Sequence, residues 1–340
     1  MGTSPTMRDV ARAAGVPLSA IPLVLANKPG VSAERRERVR DAIERLGYAS
    51  LRTRRARTRR LGLLIEPMRV PALSDVFYGE VIAGIQTEAQ RLGFAVWLHV
   101  FDAETEGMGE VARAVGTEVD GLIVANGGDI TDDRVADLAR TGVPLVLCDN
   151  HVLGQALHCV VVDNLEAGYL ATRHLIELGH RRIALLPGPR RYRNLVDRQD
   201  GYLDAMAEAG LPVEPALTPP PPPHEERKGE AQMRALLALP DPPTGVVAIS
   251  DKSAMGALAV LQQTGVRVPD DISLASIDDA VGAAMTLPPL TTVRIPKREM
   301  GARAVRRLLA LLSGEDATPH KIVLYTHLVQ RGSAAPPRRP

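Results

Sequence analysis

A chain of 340 residues that is 45% hydrophobic and 24% charged has room for several domains with buried cores, which excludes a disordered or low-complexity protein. Net charge is only +1, but residues 1–60 hold 14 Lys+Arg against 5 Asp+Glu, so a basic head sits on an acidic body and is set to meet a polyanion. Two cysteines, Cys148 and Cys159, exclude a disulfide framework and read as buried thiols; no leader-like segment or membrane-length apolar run is present, so a cytoplasmic location and no membrane partner are expected.

The first elements are helices. Thr6 followed by Asp9 has the form of an N-terminal capping signal. Val10, Ala11, Ala13 and Ala14 then precede Gly15, which takes a left-handed turn without steric cost. Pro17 suits the first position of a second helix, whose inward face is Ile21, Val24 and Leu25. Two short helices joined by a tight turn are how a helix-turn-helix presents one helix to the DNA major groove; a plain helical hairpin fits the same pattern. Residues 27–30 (NKPG) form a loop, and Ser32 caps a third helix with Val39, Ala42, Ile43 and Leu46 on one face, ending at Gly47.

The body alternates short apolar runs with helix-length patterns. The runs are Leu61–Ile65, Ala95–Leu98, Gly121–Ala125, Pro144–Leu147, Val160–Val162, Ile183–Leu186, Val246–Ile249 and Ile272–Ala275; the helical stretches include Gly79–Leu92, Ala167–Leu178 and Ala254–Gln263. This predicts parallel sheets of right-handed βαβ units, and eight strands over some 280 residues suit two doubly wound lobes. Ligands in such sheets bind beyond the strand carboxyl ends, in the cleft between lobes. Thr218 followed by Pro219–Pro223 reads as a stiff spacer that cannot pair as a central strand.

DVARAAGV at 9–16, NKPGVSAERRERVRDAIERLGY at 27–48, VVVDNLEAGYLATRHLIELGHRRIALLPGP at 160–189, PTGVVAISDKSAMGALAVLQQTGVRVPDDISLASIDD at 243–279, LPPLTTVRIPKREMG at 287–301 and LVQRGS at 328–333 together resemble the lactose-repressor (LacI/GalR) family of bacterial transcription regulators. The resemblance implies a helix-turn-helix head at 1–48, a basic linker or shortened hinge at 49–60 and a two-lobed body of periplasmic-binding-protein type at 61–333, while the residues at 334–340 read as a disordered tail. The resemblance also implies that the chain crosses between lobes near Asp163, Arg294 and Leu324.

For the DNA-facing surface it points to Arg8, Leu18, Ser19, Leu23, Asn27, Lys28 and Arg35, and in the linker to Leu51, Arg52, Arg54 and Arg55. The family's reading helix, V-S-x-x-T-V-S-R-V-L-N, is here VPLSAIPLVLA. Leu23 replaces an arginine able to read guanine bidentately, worth about 1–3 kcal/mol of discrimination. Pro22 is expected inside the second helical turn, where it removes a donor at a cost of roughly 3 kcal/mol. The remaining polar residues suit phosphates better than bases. The linker is about four residues short of the family hinge; Leu51 is its one candidate minor-groove wedge, among arginines suited to salt-sensitive phosphate contact.

For the effector cleft the resemblance points to Phe77 and Tyr78 as stacking rings, Asn194 and Arg198 before and within R-x-x-G-Y, and Asp251 and Asp278 as strand-end acids that accept from ligand hydroxyls or amines. Asp102 is a weaker candidate. No nucleophile elbow, phosphate-binding loop or metal-spaced histidine cluster is present, so no enzyme activity, cofactor or metal is expected. The expected function is a homodimeric repressor whose binding to a double-stranded DNA operator is modulated by a small-molecule effector, a sugar or related polar metabolite. One alternative keeps the ligand site but weakens specific DNA reading; another is a solute-binding protein for transport, against which the basic head argues.

Overall fold

The computed structural model describes residues 6–25, 30–46, 58–66, 77–102, 104–115, 117–125, 130–222, 228–315 and 317–338. The head comprises α1 (Met7–Ala14), α2 (Ala20–Leu25) and α3 (Ala33–Leu46). Thr6 and Asp9 form the reciprocal capping box, and Gly15 closes α1 at φ 63°. Val10, Ala14, Ile21, Val24, Val39 and Ala42 pack into one small core.

The second helix starts three residues later than the sequence suggests. Residues 17–19 form a turn in which Pro17 and Leu18 carbonyls accept from Ala20 N at 2.9 Å and Ile21 N at 3.2 Å. Pro22 is therefore the third residue of α2. First-turn N–H groups have no partner within the helix, so the expected loss of a hydrogen bond at Pro22 does not arise.

The body has two sheets. The first lobe is built on β1 (Arg60–Ile65), β2 (Ala95–Val100), β3 (Gly121–Val124), β4 (Leu145–Cys148), β5 (Cys159–Val162) and β10 (Lys321–Leu324), in the order β10-β5-β4-β3-β1-β2. One face packs against α4 (Tyr78–Arg91) and α11 (Lys297–Ser313), the other against α5 (Met108–Ala114) and α6 (Asp132–Arg140). The second lobe is built on β6 (Ile183–Leu186), β7 (Gly245–Ala248), β8 (Ser273–Asp278), β9 (Thr291–Arg294) and β11 (His327–Val329), in the order β11-β9-β8-β7-β6. Its faces carry α7 (Asn164–Glu177) with α8 (Arg193–Glu208), and α9 (Lys228–Leu237) with α10 (Asp251–Gln263).

All eight apolar runs are strands. Three more, β9, β10 and β11, escape an apolar-run search because they are short and carry polar residues: Thr291 and Thr292 are fully buried yet engaged by hydrogen bonds. The chain passes between lobes after β5, β9 and β10, close to the three expected positions. Among the described residues the strands pair in parallel except β11 on β9, which lies antiparallel. Cys148 and Cys159 stand on adjacent strands but enter opposite faces of the first sheet.

The described part of the proline segment, Pro219–Pro222, is not a strand, and Pro219 O accepts from buried Gln232 Nε2 at 2.9 Å. The tail expectation needs correction. Ala335 exchanges hydrogen bonds with Ser273 and accepts from His180, and Arg338 pairs with Asp270 at 2.6 Å, so the chain is docked as far as Arg338.

Candidate functional site

The carboxyl ends of both sheets face one another across the three crossings, and polar side chains converge there. Arg198 is the anchor. Reciprocal glycines bring α7 and α8 together: a Cβ on Gly168 would lie 1.9 Å from Arg198 O, and one on Gly201 2.0 Å from Leu165 O. This close approach buries Arg198 to 2% exposure. Its Nε donates to Asn164 Oδ1 and its Nη1 to Ile249 O and Asp278 Oδ1, each at 2.9 Å.

Asp278 ends β8 at φ 128°. Burial pushes its carboxyl up, opposed by the charges of Arg198, Lys297 and Lys228. Lys297 Nζ supports the turn by donating to Asp278 O at 2.5 Å and Asp279 O at 3.2 Å, and reaches Glu80 of α4 at 3.3 Å. Arg198 and Asp278 thus form a buried ion pair, with Arg198 Nε and Nη1 also held by Asn164 and the Ile249 carbonyl.

Asp251 departs from its expected role. It is fully buried, and its oxygens accept from Ser276 Oγ at 2.6 Å, Thr292 Oγ1 at 2.7 Å and Ala280 N at 2.7 Å. Three internal donors leave it joining the ends of β8, β9 and α10 instead of facing the cleft, and burial raises its pKa to about 6. Asp102 likewise turns to its own loop, accepting from Glu104 N at 3.0 Å and Thr105 Oγ1 at 2.7 Å while exposed.

Across the cleft, Phe77 and Tyr78 start α4 with ring centroids 5.2 Å apart in edge-to-face contact, both half-buried. Tyr78 OH donates to Asp149 Oδ2 at 3.4 Å, and Asn194 Nδ2, from the other lobe, donates to the same oxygen at 2.9 Å. Asp149 was missed in the sequence. It follows β4 as Asp278 ends β8, so an acid at the end of another parallel strand was the available signal. It is 3% exposed, adopts φ 72°, and its Oδ1 is buried with no partner. Burial raises its carboxyl to about 7, with Asp278 adding and Arg198 opposing. A buried carboxylate oxygen without a donor is costly, and a ligand hydroxyl or amine placed there removes the cost.

In the head, Arg8, Leu18, Ser19 and Arg35 are exposed and Leu23 is half-buried. Leu18 and Ser19 lie in the turn before α2. Asn27, Lys28, Leu51, Arg52, Arg54 and Arg55 lie outside the described residues. Among the described residues no group of His, Cys, Asp or Glu is arranged to hold a metal ion, and no helix is long and apolar enough to cross a membrane.

Two family models match parts of the chain. The family model for bacterial regulatory proteins, lacI family, matches residues 6–50, and that for a periplasmic binding protein-like domain matches residues 172–334. Over 97% of its length the chain is 31% identical to the HTH-type transcriptional regulator DegA of Bacillus subtilis, covering 98% of that protein, and 32% identical to the HTH-type transcriptional regulator CelR of Thermobifida fusca, covering 98%. A solved CelR–cellobiose complex superposes with a TM-score of 0.73 at 32% identity, covering 97% of this chain and 100% of that one. The lac repressor dimer bound to operator and the anti-inducer ONPF superposes with a TM-score of 0.71 at 25% identity, covering 98% and 100%.

Proposed function

The chain belongs to the lacI family of bacterial regulatory proteins, DNA-binding transcriptional regulators, and we propose that it is a repressor whose head binds a double-stranded DNA operator and whose cleft takes a small polar effector. A cytoplasmic, non-enzymatic role goes with this reading. The observation that carries the effector half is Asp149 Oδ1, a buried acceptor without a donor at the meeting of the two lobes. A sugar or related metabolite suits it: a hydroxyl donates to Asp149 and the ring lies against Phe77 and Tyr78. Arg198 and Asp278 form the polar floor. Asn194 joins the lobes through Asp149, so a ligand bonding to that carboxylate favours one lobe arrangement over another. Regulation follows if the two arrangements differ in affinity for DNA.

A homodimer sets two heads on half-sites about one helical turn apart. Val281, Met285 and Leu287 are 68%, 80% and 80% exposed on the second lobe, an apolar patch suited to a partner copy.

The test is recovery of genomic DNA fragments with the full-length protein over a salt series. Enrichment of one palindromic sequence that survives about 150 mM salt is expected. The exposed Leu18, the half-buried Leu23 and the basic linker favour a second reading, in which the arginines hold phosphates without base recognition. That reading expects no sequence preference and a steep loss of binding with salt. The effector half is tested by thermal shift against mono- and disaccharides, with Asp149→Asn as control: a sugar that stabilises wild type and leaves the variant unmoved supports the site.

A further inference from the structure

Where the chain passes from the basic linker into the first lobe, a single carboxylate holds it. Asp120 lies in the turn before β3 and is 9% exposed. Its Oδ1 accepts from Thr58 N at 2.8 Å and Thr58 Oγ1 at 3.0 Å, and its Oδ2 accepts from Arg59 N at 3.1 Å. Thr58 Oγ1 in turn accepts from Arg60 N at 3.2 Å. The main chain completes the junction, with Ala95 N donating to Arg59 O at 2.9 Å and Asp120 N to Arg60 O at 2.8 Å. Arg59 sits at φ 55°, a left-handed conformation that a residue with a Cβ keeps only where its surroundings enforce it.

The place of this junction gives it a use. It lies at the amino ends of β1 and β3, while the carboxyl ends of these strands and of neighbouring β4 open toward the cleft. Six residues of β1 span about 20 Å as a stiff, paired strand. Asp149, just beyond β4, belongs to the same sheet unit. A ligand that moves the first lobe therefore moves Thr58 and Arg59 with it, provided the chain is gripped at that point. Two hydrogen bonds from Thr58 and one from Arg59 supply the grip.

We infer that Asp120 is a positioning residue that couples the first lobe to the DNA-facing linker, by fixing the direction in which the chain leaves the body. The inference rests on the DNA-binding reading above. A carboxylate suits the role because three donors need two acceptor oxygens. An asparagine supplies the oxygen for Thr58 but sets an NH2 against the N–H of Arg59.

The experiment compares full-length wild type, Asp120→Asn, Asp120→Ala and Thr58→Val. The DNA probe is the genomic fragment most enriched by the wild type. Hydrogen exchange over residues 58–60, fragment affinity over a salt series, and the unfolding midpoint of the body are measured on each. In Asp120→Ala, amide protection at Thr58 and Arg59 is expected to be lost and affinity to fall about tenfold. The salt slope should hold, because the phosphate contacts are unchanged. Asp120→Asn should lose protection at Arg59 alone, and it and Thr58→Val should fall between wild type and Asp120→Ala in affinity. Lost protection with wild-type affinity overturns the inference. So does an affinity loss that tracks an equal drop in the body's unfolding midpoint across all three variants. If the wild type enriches no fragment while protection at 58–59 is intact, the DNA-binding reading itself has failed, and the coupling with it.

Discussion

Asp149 and Arg198 show what one buried charge requires at the level of single residues. Asp149 carries a folded-state pKa near 7 against an ordinary 3.8, so the folded protein binds a proton more tightly than the unfolded chain. The stability this residue contributes is fully present below about pH 4 and is lost as pH rises toward 7. Asp149→Asn, which stays neutral, is thus expected to melt above wild type at pH 8 and to converge with it near pH 4. The difference stays under the ceiling of about 4 kcal/mol set by a three-unit shift, and thermal melts over a pH series measure it. Arg198→Met has the opposite sign. It leaves the Asp278 carboxylate buried without its cation, and a loss of about 3–5 kcal/mol in urea unfolding is expected. The resemblance made the places of Arg198, Asp278, Asn194 and the aromatic pair around the cleft legible, and their roles toward a ligand are part of the proposal. The inward turn of Asp251 was not, because it depends on Ser276 and Thr292, 25 and 41 residues away.

Glycine contacts decide how the helices sit. α7 meets α8 through Gly168 and Gly201, and α4 meets α11 through Gly84 and Gly301, where a Cβ would lie 2.1 Å from Arg298 O and 2.3 Å from Val81 O. Gly201→Ala puts a methyl against Leu165 O and forces the helices apart, an overpacking cost of about 1–3 kcal/mol or more. Because Arg198 rides on α8, the same change should also remove the thermal shift caused by any sugar that binds wild type. Urea midpoints and ligand melts on one variant check both effects. Pro22 teaches a different lesson. It lies in the first turn of α2 and not in the second, since Leu18 and Ser19 extend the turn that Gly15 begins. Pro22→Ala is accordingly expected to change the head's stability by less than about 1 kcal/mol, measurable by thermal unfolding of the head signal.

Viewed as a whole molecule, the α/β alternation was legible because buried parallel strands read as continuous apolar runs. The strands β9, β10 and β11 were hidden because they flank the crossings and carry polar residues, and the resemblance, not periodicity, located those crossings. The acidic body is asymmetric in another way. Its second lobe presents Val281, Met285 and Leu287 to solvent, an apolar surface that costs little when a second copy covers it. Met285→Asp is expected to turn a dimer into a monomer in sedimentation while leaving the unfolding midpoint of the lobe within about 2 °C.

The opposed facing of Cys148 and Cys159 gives the protein a built-in clock. Both thiols are buried, at 1% and 3% exposure, and burial drives both pKa values up, so neither is a ready thiolate. Opening one face of the first sheet bares one sulfur and leaves the other sealed. The rates at which an alkylating reagent captures each cysteine therefore report the opening of the two faces of the first sheet separately, with no engineered label.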